Sequence, residues 1–333
     1  MLEEAMRPMT FRAATVAVIL AAGILASLVT APQVHAQAWP QRAVRFIIPF
    51  GPGAGADIGA RLIQEKLSTR WGKPVVIENR PGGDSMIAIQ AVLAANDDHT
   101  FLWSPAGNFT VHPHLYDKLP YNPDDIVPIA RYSSTILAVG VPASMNVVNL
   151  ADFVKRAKAE PGKFNSAAVP GITEFAFDNF AKAAGLAFVK VPYRDIVQGA
   201  NDLAEARLHI YAASYAIIRP HVEGGRVKAL AVMGNKRAPS LPDLPTAAEE
   251  GFPSLEMEGL VGLFGSPVVS AELRERLGAD IVAVANDKTI EDRLNATAQT
   301  PNRGGAKEFA EDIARQRAQI ATIAKALGTK PGR

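Results

Sequence analysis

The stretch Gly51-Pro52-Gly53-Ala54-Gly55-Ala56-Asp57 combines residue types and spacing that suit ligand chemistry. It follows the apolar run 44–50 and precedes a segment, residues 58–71, with helical spacing of its apolar positions. A strand that breaks into glycines and then opens a helix leaves main-chain N–H groups and the positive end of a helix dipole facing outward. That arrangement favours an anion. Glycine also lets the backbone approach the anion with no Cβ in the way. Gly51 to Ala56 can be laid onto G-x-G-x-x-A, with Glu78 at the end of the next strand in the place of a ribose-binding acid. Pro52 argues against a diphosphate because it removes an N–H from the turn. Asp57 would set a negative charge beside such a group, and no Gly-Lys-Ser/Thr follows to make a phosphate loop. A small carboxylate needs only two or three donors, and Asp57 is then placed to accept from a ligand hydroxyl or an ordered water. The reading that needs no ligand is a glycine turn with Asp57 as a helix cap.

Other chemistry-bearing residues are weaker. His112-Pro113-His114 has metal-like spacing, yet proline makes the segment a loop and no acidic or histidine cluster lies nearby in sequence, so no metal is expected. His99, His209 and His221 are isolated, and the pairs Asp97-Asp98 and Asp124-Asp125 are explained by turn chemistry. Arg194-Asp195 has two readings: a guanidinium clamp for the second end of a ligand, or an Arg–Asp contact that fixes its own loop. Ser104, Ser166 and Ser214 lack a nucleophile context, and no Gly-x-Ser-x-Gly elbow occurs. Binding is expected, not catalysis, with no cofactor.

The elements that position these residues alternate. Strands are expected at 44–50, 75–78, 100–103, 136–141, 164–168, 188–192, 208–213, 227–233 and 260–264, with helices at 57–70, 85–95 and 153–159 and a long one at 306–327. Asn149 reads as a helix cap and Thr246 to Glu249 as a capping box for a short helix. The region between 264 and 306 reads as mostly helix. Such alternation means parallel sheets covered by helices, and 333 residues at 48% hydrophobic suit two lobes of similar size. A net charge of +2 without a basic, aromatic-laced run excludes nucleic acid as a partner. The chain has no cysteine, so disulfides, thiolate metal sites and cysteine nucleophiles are excluded. Residues 1–38 read as a secretory signal peptide: Arg7 and Arg12, an apolar stretch at 13–29, then a cleavage site near Ala36 or Ala38. The apolar stretch is short of the roughly 20 residues a membrane span needs. Glu3 and Glu4 are unusual so near a start, which leaves Met6 and Met9 as alternative initiators.

From Trp39-Pro40-Gln41-Arg42 through Phe46-Ile47-Ile48-Pro49-Phe50-Gly51 to Asp57, the mature start resembles the Bug receptors, periplasmic solute-binding proteins of tripartite tricarboxylate transporters. Gly72-Lys73-Pro74 with Glu78-Asn79-Arg80-Pro81-Gly82, Leu115-Tyr116-Asp117, Val191-Pro192-Tyr193-Arg194, Gly225-Arg226-Val227 and Leu241-Pro242-Asp243-Leu244-Pro245-Thr246 extend the match along nearly all of the mature chain. The resemblance implies an α/β, two-lobed periplasmic-binding-protein fold of the Venus flytrap kind, each lobe a mostly parallel sheet flanked by helices. Lobe one would be residues 39–139 and 262–333 and lobe two residues 140–261. Strands near Ala138-Val139-Gly140 and Val261-Gly262-Leu263 would form the hinge.

It further implies that one ligand carboxylate is held between two loops, one from each lobe. By position these are Phe50 to Asp57, with Gly53, Ala54, Gly55 and Ala56, and the loop bearing Pro170, Gly171, Thr173 and Glu174. A third loop would bring Ser104, Ala106 and Asn108, and a fourth Tyr193 and Asp195. This sequence departs from the family pattern in three places. Ile172-Thr173-Glu174-Phe175 replaces a Ser/Thr run followed by His, and Glu174 serves either a ligand donor group or as a helix cap. Leu260-Val261 replaces an aromatic pair before Gly262, and Ala213-Ser214 replaces an Asp-Asn pair, with Ser214 still a candidate for the cleft.

The expected function is an exported, monomeric periplasmic receptor for a small carboxylate that hands its ligand to the membrane permease of a tripartite tricarboxylate transporter. Two further readings are a secreted α/β enzyme acting on a carboxylated small molecule and a solute-sensing module for a membrane sensor protein. The solute itself is not specified by these residues.

Overall fold

The computed structural model describes residues 39–193, 195–329 and Gly332. The expected leader at 1–38 and Arg194 lie outside the described residues. The chain divides into two compact units, residues 1–41 and 42–333. Of the first, Trp39 to Gln41 are described, with a cis Trp39–Pro40 bond.

In the second unit the elements run β1 (Val44–Ile48), α1 (Gly55–Trp71), β2 (Val75–Asn79), α2 (Met86–Ala95), β3 (Thr100–Pro105), α3 (Gly107–Thr110), α4 (His112–Leu115) and β4 (Val127–Thr135). The chain then enters β5 (Leu137–Pro142), α5 (Leu150–Ala159), β6 (Asn165–Ala168), α6 (Ile172–Ala183), β7 (Val189–Lys190), α7 (Ile196–Ala204), β8 (Ile210–Ser214), α8 (Tyr215–Glu223) and β9 (Val227–Val232). It returns through β10 (Gly259–Gly265), α9 (Ala271–Ala285), α10 (Lys288–Ala296), β11 (Gln299–Gly304) and α11 (Ala306–Leu327).

Two sheets result, one in the order β11-β4-β10-β3-β1-β2 and one in the order β7-β6-β8-β5-β9. Both are mixed. β1 pairs in parallel with β2 and β3, and β6 with β7 and β8, as βαβ units require. The strands that carry the chain between the sheets, β4, β5 and β10, pair antiparallel with their neighbours, so the expected mostly parallel sheets are corrected to mixed ones. Leu137 to Val139 already pair with β8 and β9 in the second sheet, and Gly259 to Val261 already pair with β4 in the first. The crossings therefore fall at Ile136 and between Val232 and Gly259, not inside β5 and β10.

β1 and β3 are central strands whose apolar runs Phe46-Ile47-Ile48 and Phe101-Leu102-Trp103 are buried, while Arg45 of β1 stays partly exposed and pairs with Glu78. On α1, Ala60, Ile63, Leu67 and Trp71 fall on one buried face, and Gly72 ends the helix in the left-handed conformation. Phe46 stacks on Trp103 with centroids 5.7 Å apart, and Trp103 meets Tyr132 at 5.0 Å. The capping box forms as expected: Thr246 N–H donates to Glu249 Oε2 at 2.7 Å and Glu249 N–H to Thr246 Oγ1 at 3.1 Å. Only turns follow it, because Gly251 takes φ +89° and ends the segment.

α11 belongs to both lobes. Its start packs in the first lobe, where Phe309 and Ile313 join Ile47, Leu102, Phe109 and Phe264. Its end packs in the second, where Ile320, Ile323 and Ala324 join Phe153, Phe175 and Phe180. Gly262 permits that seat, since a Cβ there would lie 2.2 Å from the Ala130 carbonyl oxygen and 2.5 Å from the Phe309 ring. Phe309 is fully buried, with its ring centroid 4.9 Å from that of Phe264. Phe309→Ala should therefore lower stability by about 3–5 kcal/mol, read from the urea unfolding midpoint. A loss below about 1 kcal/mol would show that this helix start is not packed as described.

Candidate functional site

The first loop is built around Asp57, whose carboxylate is buried beneath it. Gly53 N–H donates to its Oδ2 at 2.9 Å, Asn79 Nδ2 to its Oδ1 at 2.9 Å, and Arg61 Nε to both oxygens at 3.1 and 3.0 Å. Asn79 Nδ2 also donates to the Phe50 carbonyl at 2.9 Å, so the end of β2 laces the loop after β1. Burial raises the Asp57 pKa, but Arg61, the Gly53 amide and Asn79 outweigh burial and hold it below the ordinary value. Asp57 is thus engaged by the protein and does not stand ready for a ligand hydroxyl. Gly53 takes φ +87°, which accounts for glycine at that position. From the other side, Gln299 Nε2 donates to the Gly55 carbonyl at 2.9 Å, and Ser133 Oγ donates to Gln299 Oε1 at 2.9 Å.

With Asp57 and Gln299 holding the turn, the N–H groups of Gly55, Ala56 and Asp57 have no acceptor among the described residues. The helix that opens the second loop, α6, shows the same feature. Gly171, Ile172 and Thr173 have no acceptor for their N–H groups among the described residues, and Glu174 N–H, donating to the Val169 carbonyl at 3.1 Å, is the first one used.

A cavity of about 470 Å³ lies where the loops of the two lobes meet. Phe50, Gly51, Asn108, Pro170 and Gly171 line it, together with the turn 81–85 and His112. Of the residues expected from sequence, it gathers Phe50, Asn108, Pro170 and Gly171. Gly53, Ala54, Gly55, Ala56 and Asp57 continue the first loop but are not in the wall. Ser104 is buried below it, donating to the Pro105 carbonyl at 2.9 Å and accepting from Asn108 Nδ2 at 3.2 Å. Ala106 is buried, its N–H bound to the Leu260 carbonyl. Thr173 is buried at the start of α6, and Ser214 ends β8 in register with Leu137.

Glu174 and Tyr193 line a separate cavity of about 330 Å³ on the second lobe, which shares Pro170 with the first. Tyr193 Oη donates to Asp202 at 2.7 Å, and burial together with that carboxylate pushes its pKa up to about 12. Asp195 caps α7 by accepting from Val197 N–H at 2.9 Å.

Sequence reasoning missed the turn 81–85 and His112. The signal was present, since Pro81-Gly82-Gly83 directly follows the carboxyl end of a parallel strand, where ligands sit in such sheets. His112 was weighed only as a metal ligand in a loop. It begins the one-turn α4, and no group of acidic, histidine or cysteine residues suited to a metal occurs among the described residues. Its Nδ1 lies 2.6 Å from Tyr121 Oη, and the ring also bonds the Asp84 main chain. It props the turn.

Two mixed α/β sheets flanked by helices and joined by paired crossings are the two-lobed fold of periplasmic binding proteins. The chain belongs to the tripartite tricarboxylate transporter receptor family, whose TctC model matches residues 59–329. It is 27% identical over 317 residues to a UPF0065 protein of Bordetella bronchiseptica, covering 94% of this chain and 93% of that one. Among solved structures it is similar to R. palustris Rpa4515 with adipate, at TM-score 0.77 and 27% identity over 88% of this chain and 100% of that one. It also matches the periplasmic binding protein BugD, at TM-score 0.73 and 24% identity over 88% and 100%, a likeness of fold. Among the described residues no helix is long and apolar enough to cross a membrane.

Burial lowers the His112 pKa from 6.5 to about 4, against the opposing pull of Asp84. The unfolded chain takes up that proton near 6.5 and the folded chain only near 4, so the unfolded state binds more protons between those values. Stability therefore falls as pH drops through this window. His112→Gln should flatten that fall by up to about 3 kcal/mol, measured by urea unfolding at a series of pH values. An unchanged slope would mean that His112 is charged in the folded protein.

Proposed function

We propose that this chain is an exported solute receptor that holds a small carboxylate between its lobes and presents it to the permease of a tripartite tricarboxylate transporter. The observation that carries this reading is the cavity in which Phe50 and Gly51 of the first loop meet Pro170 and Gly171 of the second, beside helix starts whose N–H groups lack acceptors among the described residues. Main-chain donors at helix starts suit one carboxylate oxygen pair, and no lysine or arginine is among the described residues of the wall. Membership of a receptor family supports binding without turnover, and the R. palustris relative with adipate supports a carboxylate as the ligand class. Ser104 supports the same choice over an enzyme, since its hydroxyl is bonded to the main chain and to Asn108, with no base beside it among the described residues. The lobes are joined at Ile136 and at 233–258 and bridged by α11, which suits closure by small rotation about two crossings. Residues 1–38 would be the leader removed on export to the periplasm, and the receptor would act as a monomer.

Gly51 offers a clean test. A Cβ there meets nothing within 4 Å, and its φ is not in the left-handed region, so Gly51→Val should fold normally. It would nevertheless place a branched side chain at the cavity wall. In a thermal-shift screen against small carboxylic acids, the wild type should gain stability by mass action with at least one acid. Gly51→Val should keep the unliganded Tm and lose that gain. A variant stabilised like the wild type would remove this loop from the site.

A further inference from the structure

We propose that the ligand of the interlobe cavity is an amino-carboxylate, whose ammonium group meets the side chain of Asp84 while its carboxylate is held by the main chain. This rests on the reading of the cavity as a carboxylate site, and adds to it what occupies the other end.

Among the described residues that line the cavity, Asp84 carries the one charged side chain besides the titratable His112. His112 is no cation at neutral pH, because burial lowers its pKa to about 4. The remaining wall is apolar or neutral: Phe50, Val111, Leu115, Ser85 and Asn108 with prolines and glycines. A dicarboxylate anchored at one end would bring its second negative charge into a space whose fixed charge is also negative. An ammonium group there gains a charge-assisted hydrogen bond instead.

Asp84 is also held in an uncommon way. Its backbone is left-handed, φ 47° and ψ 45°, between Gly83 at φ 55° and Ser85 at φ 73°. Side-chain-bearing residues rarely adopt this conformation, and such outliers cluster at binding sites. The turn is nevertheless supported. Tyr116 Oη donates to Asp84 Oδ2, the His112 ring bonds the Asp84 main chain, and Asn108 Nδ2 donates to Ser85 Oγ at 2.9 Å. Asp84 Oδ1 has no partner among the described residues. The cavity, about 470 Å³, is of a size for a small organic ligand.

The test is calorimetric titration of the mature chain with α-amino acids and with ω-amino acids from β-alanine to 6-aminohexanoate. Dicarboxylates and plain monocarboxylates of matched length serve as comparisons. At least one amino-carboxylate should bind about tenfold or more tighter than its matched partners, the scale of one hydrogen bond between charged groups. Asp84→Asn keeps the left-handed turn, which asparagine tolerates. It should remove that preference without lowering the unliganded Tm. Matched dicarboxylates that bind as well as amino-carboxylates, or an Asp84→Asn protein that retains the preference, would overturn this inference and leave the carboxylate reading standing. Binding of no acid from any series would overturn both.

Discussion

Main-chain N–H groups that begin a helix without an acceptor are tolerable in water and costly once water leaves, by about 1–3 kcal/mol each. In this protein Gly55, Ala56 and Asp57 in one lobe and Gly171, Ile172 and Thr173 in the other are in that position among the described residues. Asp57, the nearest anion of the first loop, cannot serve them. Its carboxylate already takes the Gly53 amide, Asn79 and Arg61. An acceptor from outside the chain would satisfy such donors, and helix starts favour an anion in that place.

Two long-range side chains fix the first loop. Asn79 ties the end of β2 to the loop after β1, and Gln299 ties β11 to the first turn of α1. Both are contributed by distant sequence, so the loop is held from two sides by elements of the rigid first sheet. α11 reaches across to the second lobe, with Phe309 seated in one core and Ile320 in the other. Its two ends thus tie the two cores together.

Much of this was legible in local sequence. The glycine turn, the face of α1 and the cap at Asn149, which accepts from Asp152 N–H at 2.9 Å, depend on neighbours a few residues away. What escaped depends on long-range partners. β4 and β11 contain Pro128, Arg131, Pro301 and Asn302, which give no strand signal; they are strands because each lies antiparallel against the other. Asp57 was open to a ligand-acceptor reading although two of its partners, Gly53 and Arg61, are only four residues away; the third, Asn79, is 22 residues away. The turn 81–85 carried a local glycine signal, but its placement beside His112 in the cavity wall is long-range. Its left-handed Asp84 and Ser85 are defined by contacts with Tyr116, His112 and Asn108, none of them adjacent.

Amide chemical shifts and hydrogen-exchange rates of the isotope-labelled mature protein, with and without a saturating carboxylic acid, would show whether both sets of helix-start amides hold the ligand. The largest shifts and the strongest new protection should fall on Gly51, on Gly55, Ala56 and Asp57, and on Gly171, Ile172 and Thr173 together, and the methyl ester of the same acid should leave them unchanged. Shifts confined to lysine or arginine side chains, with both sets of helix-start amides exchanging as in the free protein, would contradict it.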